Sequence, residues 1–324
     1  MRVLVTGSSG FVGSALTHRL RNAGHIVTGF GRRPAPDSIQ GNLLDSPTVN
    51  RAIQIFQPEI VYHLAAQTKL KGFSTDGFRV NTDGVEALLE AVRNAGSVRR
   101  VVWMSSQLVC KPGRPPAHDT DFDPADDYGA SKAEGERLVR AADGGGKTWT
   151  IVRSTTIWGP GMSEHYAGVI RLIQRGLYFH VGRQPQRKSY SYIENLAAQL
   201  VSVGTAPDAM VHEKVFYLAD SEPLDLRTWA DAFAQQFGRK LHTIPAPAAR
   251  ALGLAGDLAQ MAPSSAPVSS SRIANMLTEY VYDTAPIDRI HGRTAIPWRD
   301  GVRRTAAWIK AGEPAVAHAR PLPA

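Results

Sequence analysis

Short runs of β-branched and aliphatic residues recur along the chain, each followed by a longer stretch with apolar residues at helical spacing. The first run is RVLVT at residues 2–6. It leads through a glycine-rich turn into SALTHRLRNAG, where Ala15, Leu16 and Leu20 fall on one helical face and Gly24 marks a stop. HIVTGF then reads as a second strand. The alternation continues with a helix over 47–57, the strand IVYHLAA, a helix over 81–95, the strand RVVWMSS, a helix over 128–142 and the strand TWTIVRS. Strands alternating with helices predict βαβ units, and so an α/β fold built on a doubly wound parallel sheet.

After residue 158 the pattern loosens. A helix is expected near 166–175, then the polar stretch GRQPQRKSYSY, then a strand, KVFYLAD at 214–220, that returns to the sheet. Residues 245–271, rich in Ala, Pro and Ser, read as a loop-rich segment with helical Ala pieces, and 313–324 as a flexible tail. A chain of 324 residues exceeds the roughly 100–200 of one typical domain. The expected division is residues 1–162 with the returning strand, and a smaller C-terminal lobe from 163–213 and 221–312.

Charge and cysteine usage narrow the partners. Lys and Arg exceed Asp and Glu by 37 − 29 = 8, which favours anionic ligands. The basic residues are dispersed in pairs without interleaved aromatics, so nucleic acid is not expected and an anionic small molecule is. The single cysteine, Cys110, excludes an internal disulfide and a Cys-rich zinc site, and no metal is expected. With no signal-like h-region and no apolar run near about 18 residues, the chain reads as a soluble cytoplasmic protein without a membrane partner.

Two stretches carry candidate chemistry. TGSSGFVG sets Gly7, Gly10 and Gly13, with Ser9, Phe11 and Val12, between the first strand and helix. Glycine permits positive φ and close backbone approach, and a helix N-terminus presents free N–H groups to a pyrophosphate. The spacing is G-x-x-G-x-x-G, and a turn needing glycine for shape alone is the other reading. DDYGASKAEGERLVR puts Tyr128 and Lys132 four apart on one helical face. A lysine ammonium beside a phenol favours phenolate and lowers a pKa that is otherwise about 10. Taken alone, such a pair is also an ordinary surface contact.

TGSSGFVG, VYHLAAQT, VNTDGVEALLEA, VVWMSSQLV, YGASK and VRSTTIWGPGM occur in order. Together with KSYSYIEN and AIPWRDGVRRTAAW, they make the chain resemble the extended short-chain dehydrogenase/reductase family, in the branch with the nucleotide-sugar epimerases and reductases. The resemblance implies a Rossmann-type sheet binding NAD(P) in residues 1–162, a substrate lobe beyond it, and a homodimer. It implies Tyr128 as acid/base, Lys132 as the ribose-holding lysine and Ser106 as donor to the reacting oxygen. Leu64, Ala65, Ala66 and Ser105 are implied beside the cofactor, Asn81 as a tie between strand and helix, and Ser154 and Thr155 near the nicotinamide.

Where NAD-using relatives carry an Asp after the second strand, this chain has Gly31, Arg32 and Arg33. An acid there repels a 2′-phosphate and a guanidinium pairs with it, so NADP (NADPH) is the preferred cofactor, with NAD as the other choice. Asn42 and Leu43 follow at the adenine edge. Gln107-Leu108 replaces the Asp-Glu of the sugar dehydratases, which leaves reduction and 4-epimerisation, and because the family's epimerases mostly hold NAD, a site shaped for NADP makes reduction of a nucleotide-linked 4-keto sugar the expected reaction. A 4-epimerase, a reductase of a non-nucleotide ketone and a non-catalytic NADP-binding regulator are the alternatives. The expected substrate contacts are Gln67, Ser106, Thr156, His165, Arg187, Lys188 and Arg293.

Overall fold

The computed structural model describes residues 1–68, 75–162, 164–259 and 268–312. The expected tail, 313–324, lies outside the described residues. The central element is a parallel sheet of strands β1 (Arg2–Thr6), β2 (Ile26–Gly31), β3 (Ser38–Gln40), β4 (Ile60–His63), β5 (Arg100–Ser106), β6 (Thr148–Ser154) and the returning strand Lys214–Leu218. Their spatial order is Lys214–Leu218, β6, β5, β4, β1, β2, β3. The order reverses between β1 and β4, and ligands of open α/β sheets bind at the carboxyl ends of the strands at such a reversal.

Both faces of the sheet are covered, which is why its strands are nearly continuous in apolar residues. Alternate side chains divide between two cores. Val3, Val5, Ile60, Tyr62, Val102 and Val152 pack with Leu16 and Leu20 of helix α1 (Phe11–Asn22) and with Leu196 and Leu200 of the helix Ile193–Thr205. Leu4, Val61, Val101, Trp103 and Ile151 pack on the other side with helices α2 (Ser46–Phe56), α3 (Asp83–Arg93) and α4 (Asp127–Ala141).

The structure departs from the sequence pattern in particular places. Helix α1 begins at Phe11, ahead of its apolar periodicity, directly after Gly10. The strand IVYHLAA ends at His63, and Leu64–Ala66 leave the sheet as irregular chain. The segment read as loop-rich is largely helical, with helices Ala246–Ala259 and Ser270–Leu277, while 260–267 lie outside the described residues. Alanine's helix propensity prevails there, and Pro247 falls in the first turn, where its missing N–H costs nothing. The polar stretch before Ile193 contains two short strands, Arg187–Lys188 and Tyr190–Tyr192, which pair with Leu224–Asp225 and Thr156–Trp158.

Candidate active site

The loop from β1 to α1 is held tightly. Gly7 has φ +71° and donates its N–H to Phe30 O at 2.8 Å, while Gly10 N donates to Gly7 O at 2.9 Å. Gly10 is the N-cap of α1, no side chain caps it, and the first turn contains no acid. The helix N–H groups are therefore open to an anion, which fits a pyrophosphate. The backbone of Ala65 lies so close to Gly7 that a Cβ on Gly7 would sit 2.9 Å from it. Leu64 N and Ala65 N each donate to Thr6 Oγ1 at 3.2 Å, fixing the half-buried Leu64, Ala65 and Ala66 along the loop. Phe11 and Val12 are half-buried against the core below.

At the adenosine end, Arg32 and Arg33 are exposed, and Arg33 Nη2 reaches across to Ser9 O at 3.4 Å. The guanidinium thus stands at the rim of the glycine loop. Asn42 is exposed with its Oδ1 accepting from Leu44 N at 3.2 Å, and Leu43 is buried.

Helix α4 brings the chemistry to the end of β5. Asp126 caps it, accepting from Gly129 N at 2.7 Å. Gly129 packs on the Leu108 carbonyl so closely that a Cβ would lie 2.1 Å from that oxygen. This seats the first turn of α4, bearing half-buried Tyr128, against the turn that Ser106 caps. Ser106 Oγ accepts from Leu108 N at 3.1 Å, which leaves its own proton for another oxygen. Lys132 is buried, and its Nζ donates to Met104 O at 2.5 Å. Burial lowers the ammonium pKa to about 8, although nearby Glu136 pulls the other way. Asn81, also buried, accepts from Gln67 N at 2.8 Å and donates to Gln67 O at 3.0 Å and Ser131 Oγ at 2.9 Å. It ties the chain after β4 to α4, and Ser131 Oγ in turn donates to Tyr128 O at 2.7 Å.

The sequence profile of the NAD dependent epimerase/dehydratase family matches residues 3–219. The chain belongs to this family. A 3β-hydroxysteroid dehydrogenase/Δ5→4-isomerase of Mycobacterium tuberculosis is 32% identical over 267 residues, covering 74% of this chain and 70% of the relative. A UDP-glucose 4-epimerase of Vibrio cholerae is 28% identical over 260 residues, covering 76% and 78%. The solved UDP-glucose 4-epimerase of Thermus thermophilus, in complex with NAD, superposes with a TM-score of 0.72 over 97% of this chain and all of that one, at 23% identity. Such family members are NAD(P)-dependent dehydrogenases, reductases and epimerases, and this chain is an enzyme of that kind.

In this member of the family the expected substrate residues do not all converge. Thr156 is half-buried beside the Gln107 amide, which approaches it at 3.5 Å, and Gln67 is held by Asn81. Ser154 Oγ donates to Ser105 O at 3.3 Å, and Thr155 Oγ1 to Leu218 O at 3.1 Å. Arg187 is exposed. Lys188 departs from expectation: it is fully buried, its Nζ donates to Asn275 O and Thr278 O at 2.5 Å each, and it lies over the Tyr280 ring. It has become a staple of the C-terminal lobe: burial lowers its pKa to about 8, against the pull of Glu279, and the ammonium satisfies itself on carbonyls. Arg293 also departs, pairing with Glu222 at the exposed surface. His165 lies in the helix Glu164–Gln174, with its side chain outside the described residues. Among the described residues no helix is long and apolar enough to cross a membrane.

Three groups around Lys132 were missed. Glu136 and Arg153 form a buried ion pair at 2.8 Å, signalled only by an arginine inside a strand that carries no other charge. His63 is buried with Nδ1 3.0 Å from Thr6 Oγ1. Thr6 already accepts from two amides, so its hydroxyl proton goes to Nδ1 and the ring carries its own proton on Nε2. His63, Trp103, Lys132 and Glu136 line a cavity of about 20 Å³, room for one water.

Proposed function

We propose that this enzyme is an NADPH-dependent reductase that interconverts a ketone and a secondary alcohol. The observation that carries the reading is the grouping of half-buried Tyr128, buried Lys132 and Ser106 with its uncommitted proton at the carboxyl end of β5, on the same edge of the sheet as the glycine loop after β1. Tyr128 donates its hydroxyl proton to the carbonyl oxygen. Ser106 donates a second hydrogen bond to the same oxygen and stabilises the charge that develops there. The Lys132 ammonium favours the tyrosinate left behind and holds the nicotinamide ribose. When bound, the cofactor supplies the hydride. Gly7, Gly10 and Gly13 hold its pyrophosphate, and Arg32 and Arg33 pair with the 2′-phosphate, with residues 1–162 forming the cofactor half and 163–213 with 221–312 the substrate lobe.

Two of the cations expected at a substrate diphosphate are committed elsewhere, Lys188 to carbonyls and Arg293 to Glu222. We therefore place a ketone without a diphosphate first, in keeping with the steroid dehydrogenase among the relatives. A nucleotide-linked 4-keto sugar is the second reading, supported by exposed Arg187 and by the UDP-sugar relatives. The test is a panel of steroid, alkyl and nucleotide-sugar ketones and UDP-hexoses, incubated with NADPH or NADH while cofactor absorbance and products are followed. Stoichiometric NADPH loss on a ketone, abolished in Tyr128→Phe, is the expected result. Isomer change without cofactor loss makes the enzyme a 4-epimerase, and full turnover in Tyr128→Phe removes the reading altogether.

A further inference from the structure

Lys132 and Glu136 stand one turn apart on the same face of α4, and both are buried. A buried ammonium and a buried carboxylate at that spacing attract strongly and ordinarily pair. Here they do not share the short contact. Lys132 Nζ is on Met104 O, while Glu136 Oε1 accepts from Arg153 Nε at 2.9 Å and Ser105 Oγ at 2.6 Å, and Oε2 accepts from Arg153 Nη2 at 2.8 Å. The arginine is itself held from behind. Its Nη1 donates to Tyr217 OH at 3.1 Å, its Nη2 donates to Asp119 O at 2.5 Å, and its guanidinium lies over the Phe122 and Tyr217 rings. The cavity of about 20 Å³ lined by Lys132, Glu136 and Ser105 leaves the lysine space to swing towards the carboxylate.

We propose that Arg153 is a positioning residue for Lys132: by taking both oxygens of Glu136 it prevents that carboxylate from capturing the ammonium, and so keeps Lys132 available to Tyr128. The inference rests on the catalytic reading above for its consequence, though not for its geometry. The titratable groups that line the cavity with Lys132 are Glu136 from α4 and His63 from β4, with Ser105 and Met104 from β5 and apolar Val85 from α3; Arg153 from β6 reaches it through Glu136, and Tyr128 stands one turn before Lys132 on α4. His63 stays neutral, since burial and then Lys132 hold its pKa down at about 3. Lys132, Glu136 and Arg153 therefore sum to one positive charge beside Tyr128. Removal of Arg153 takes that sum to zero and frees Glu136, and both changes disfavour tyrosinate.

The test compares Arg153→Met, Glu136→Gln/Arg153→Met and the parent, by ¹⁵N NMR titration of the lysine side chains in the full chain without cofactor. The pH profile of the reaction found active in the panel is read alongside. In Arg153→Met the Lys132 titration rises from about 8 towards the ordinary lysine range, and the acid limb of alcohol oxidation moves up by about one pH unit or more. In the double variant, which restores the single positive charge, the limb returns to within about half a unit of the parent. An unchanged Lys132 titration in Arg153→Met overturns the proposal. Should that variant not fold, the double variant decides: a limb displaced by about one unit or more shows that Arg153 acts by something other than neutralising Glu136. Tyr128→Phe separates the two claims, because its full turnover would remove the catalytic reading while the cofactor-free titration of Lys132 still reports on Arg153.

Discussion

Gly13→Ala tests the cofactor cradle most directly. A Cβ at this position would lie 2.1 Å from Gly7 O and 2.8 Å from Gly7 C and Ser8 Cα, where ordinary contact begins at 3.4 Å, so the shortfall is 3.4 − 2.1 = 1.3 Å. The obstructing atoms are backbone. Gly7 cannot yield easily, because its N–H is bonded to Phe30 O, its carbonyl accepts from Gly10 N and the Ala65 backbone leaves no room for even a Cβ on it. Helix α1 or the loop must move, which costs roughly 1–3 kcal/mol in overpacking. Loss of two charge-assisted hydrogen bonds from displaced N–H groups to the pyrophosphate, at about 1.5 kcal/mol or more each, weakens NADPH binding about 100-fold. Fluorescence titration of NADPH, with a thermal melt in parallel, measures both effects. Gly168→Ala is the control, since its Cβ meets nothing within 4 Å and the residue lies inside a helix. A Gly13→Ala protein that binds NADPH within about twofold of the parent would refute the cradle.

Asn81→Ala removes the amide's bonds to the half-buried Gln67 backbone and its buried bond to Ser131 Oγ and should cost about 2–3 kcal/mol, read as a lower urea midpoint with unchanged slope; a loss under about 0.5 kcal/mol would show that water replaces the amide. His63 has its pKa depressed to about 3 by burial and, secondarily, by Lys132, so the unfolded chain takes up a proton that the fold refuses. Stability is therefore lost as pH falls below about 6.5, by up to about 1.4 kcal/mol per pH unit, and His63→Asn should flatten the decline between pH 6.5 and 4.5 relative to the parent in urea unfolding. Parallel curves would deny His63 that role. Arg32→Ala combined with Arg33→Ala should weaken NADPH at least about tenfold more than NADH, and equal weakening would return the pair to plain surface charge.

The strands, the glycine loop and the Tyr128–Lys132 face were legible in the sequence because each depends on local periodicity, and neighbours along the chain determine periodicity. The six sheet strands that precede residue 160 were anticipated except for β3, whose three residues are too short to show a pattern. The helix Ala246–Ala259 was obscured by prolines and serines nearby, though its alanines favour it. Substrate contacts fared worse. Lys188 and Arg293 have the right charge at the expected distance along the chain, yet one is buried on carbonyls and the other is paired at the surface.

Order along the chain and helical faces settled the doubly wound α/β fold, and the motifs met in sequence carried the resemblance to an enzyme family. Which charges are free, and which are spent, was decided only by folding. Glu136 and Arg153 are 17 residues apart, on a helix and on a strand, and nothing local links them. Burial makes the difference physically: an exposed arginine keeps its charge for any ligand, whereas one that loses water must take its partners from whatever the tertiary structure brings within reach.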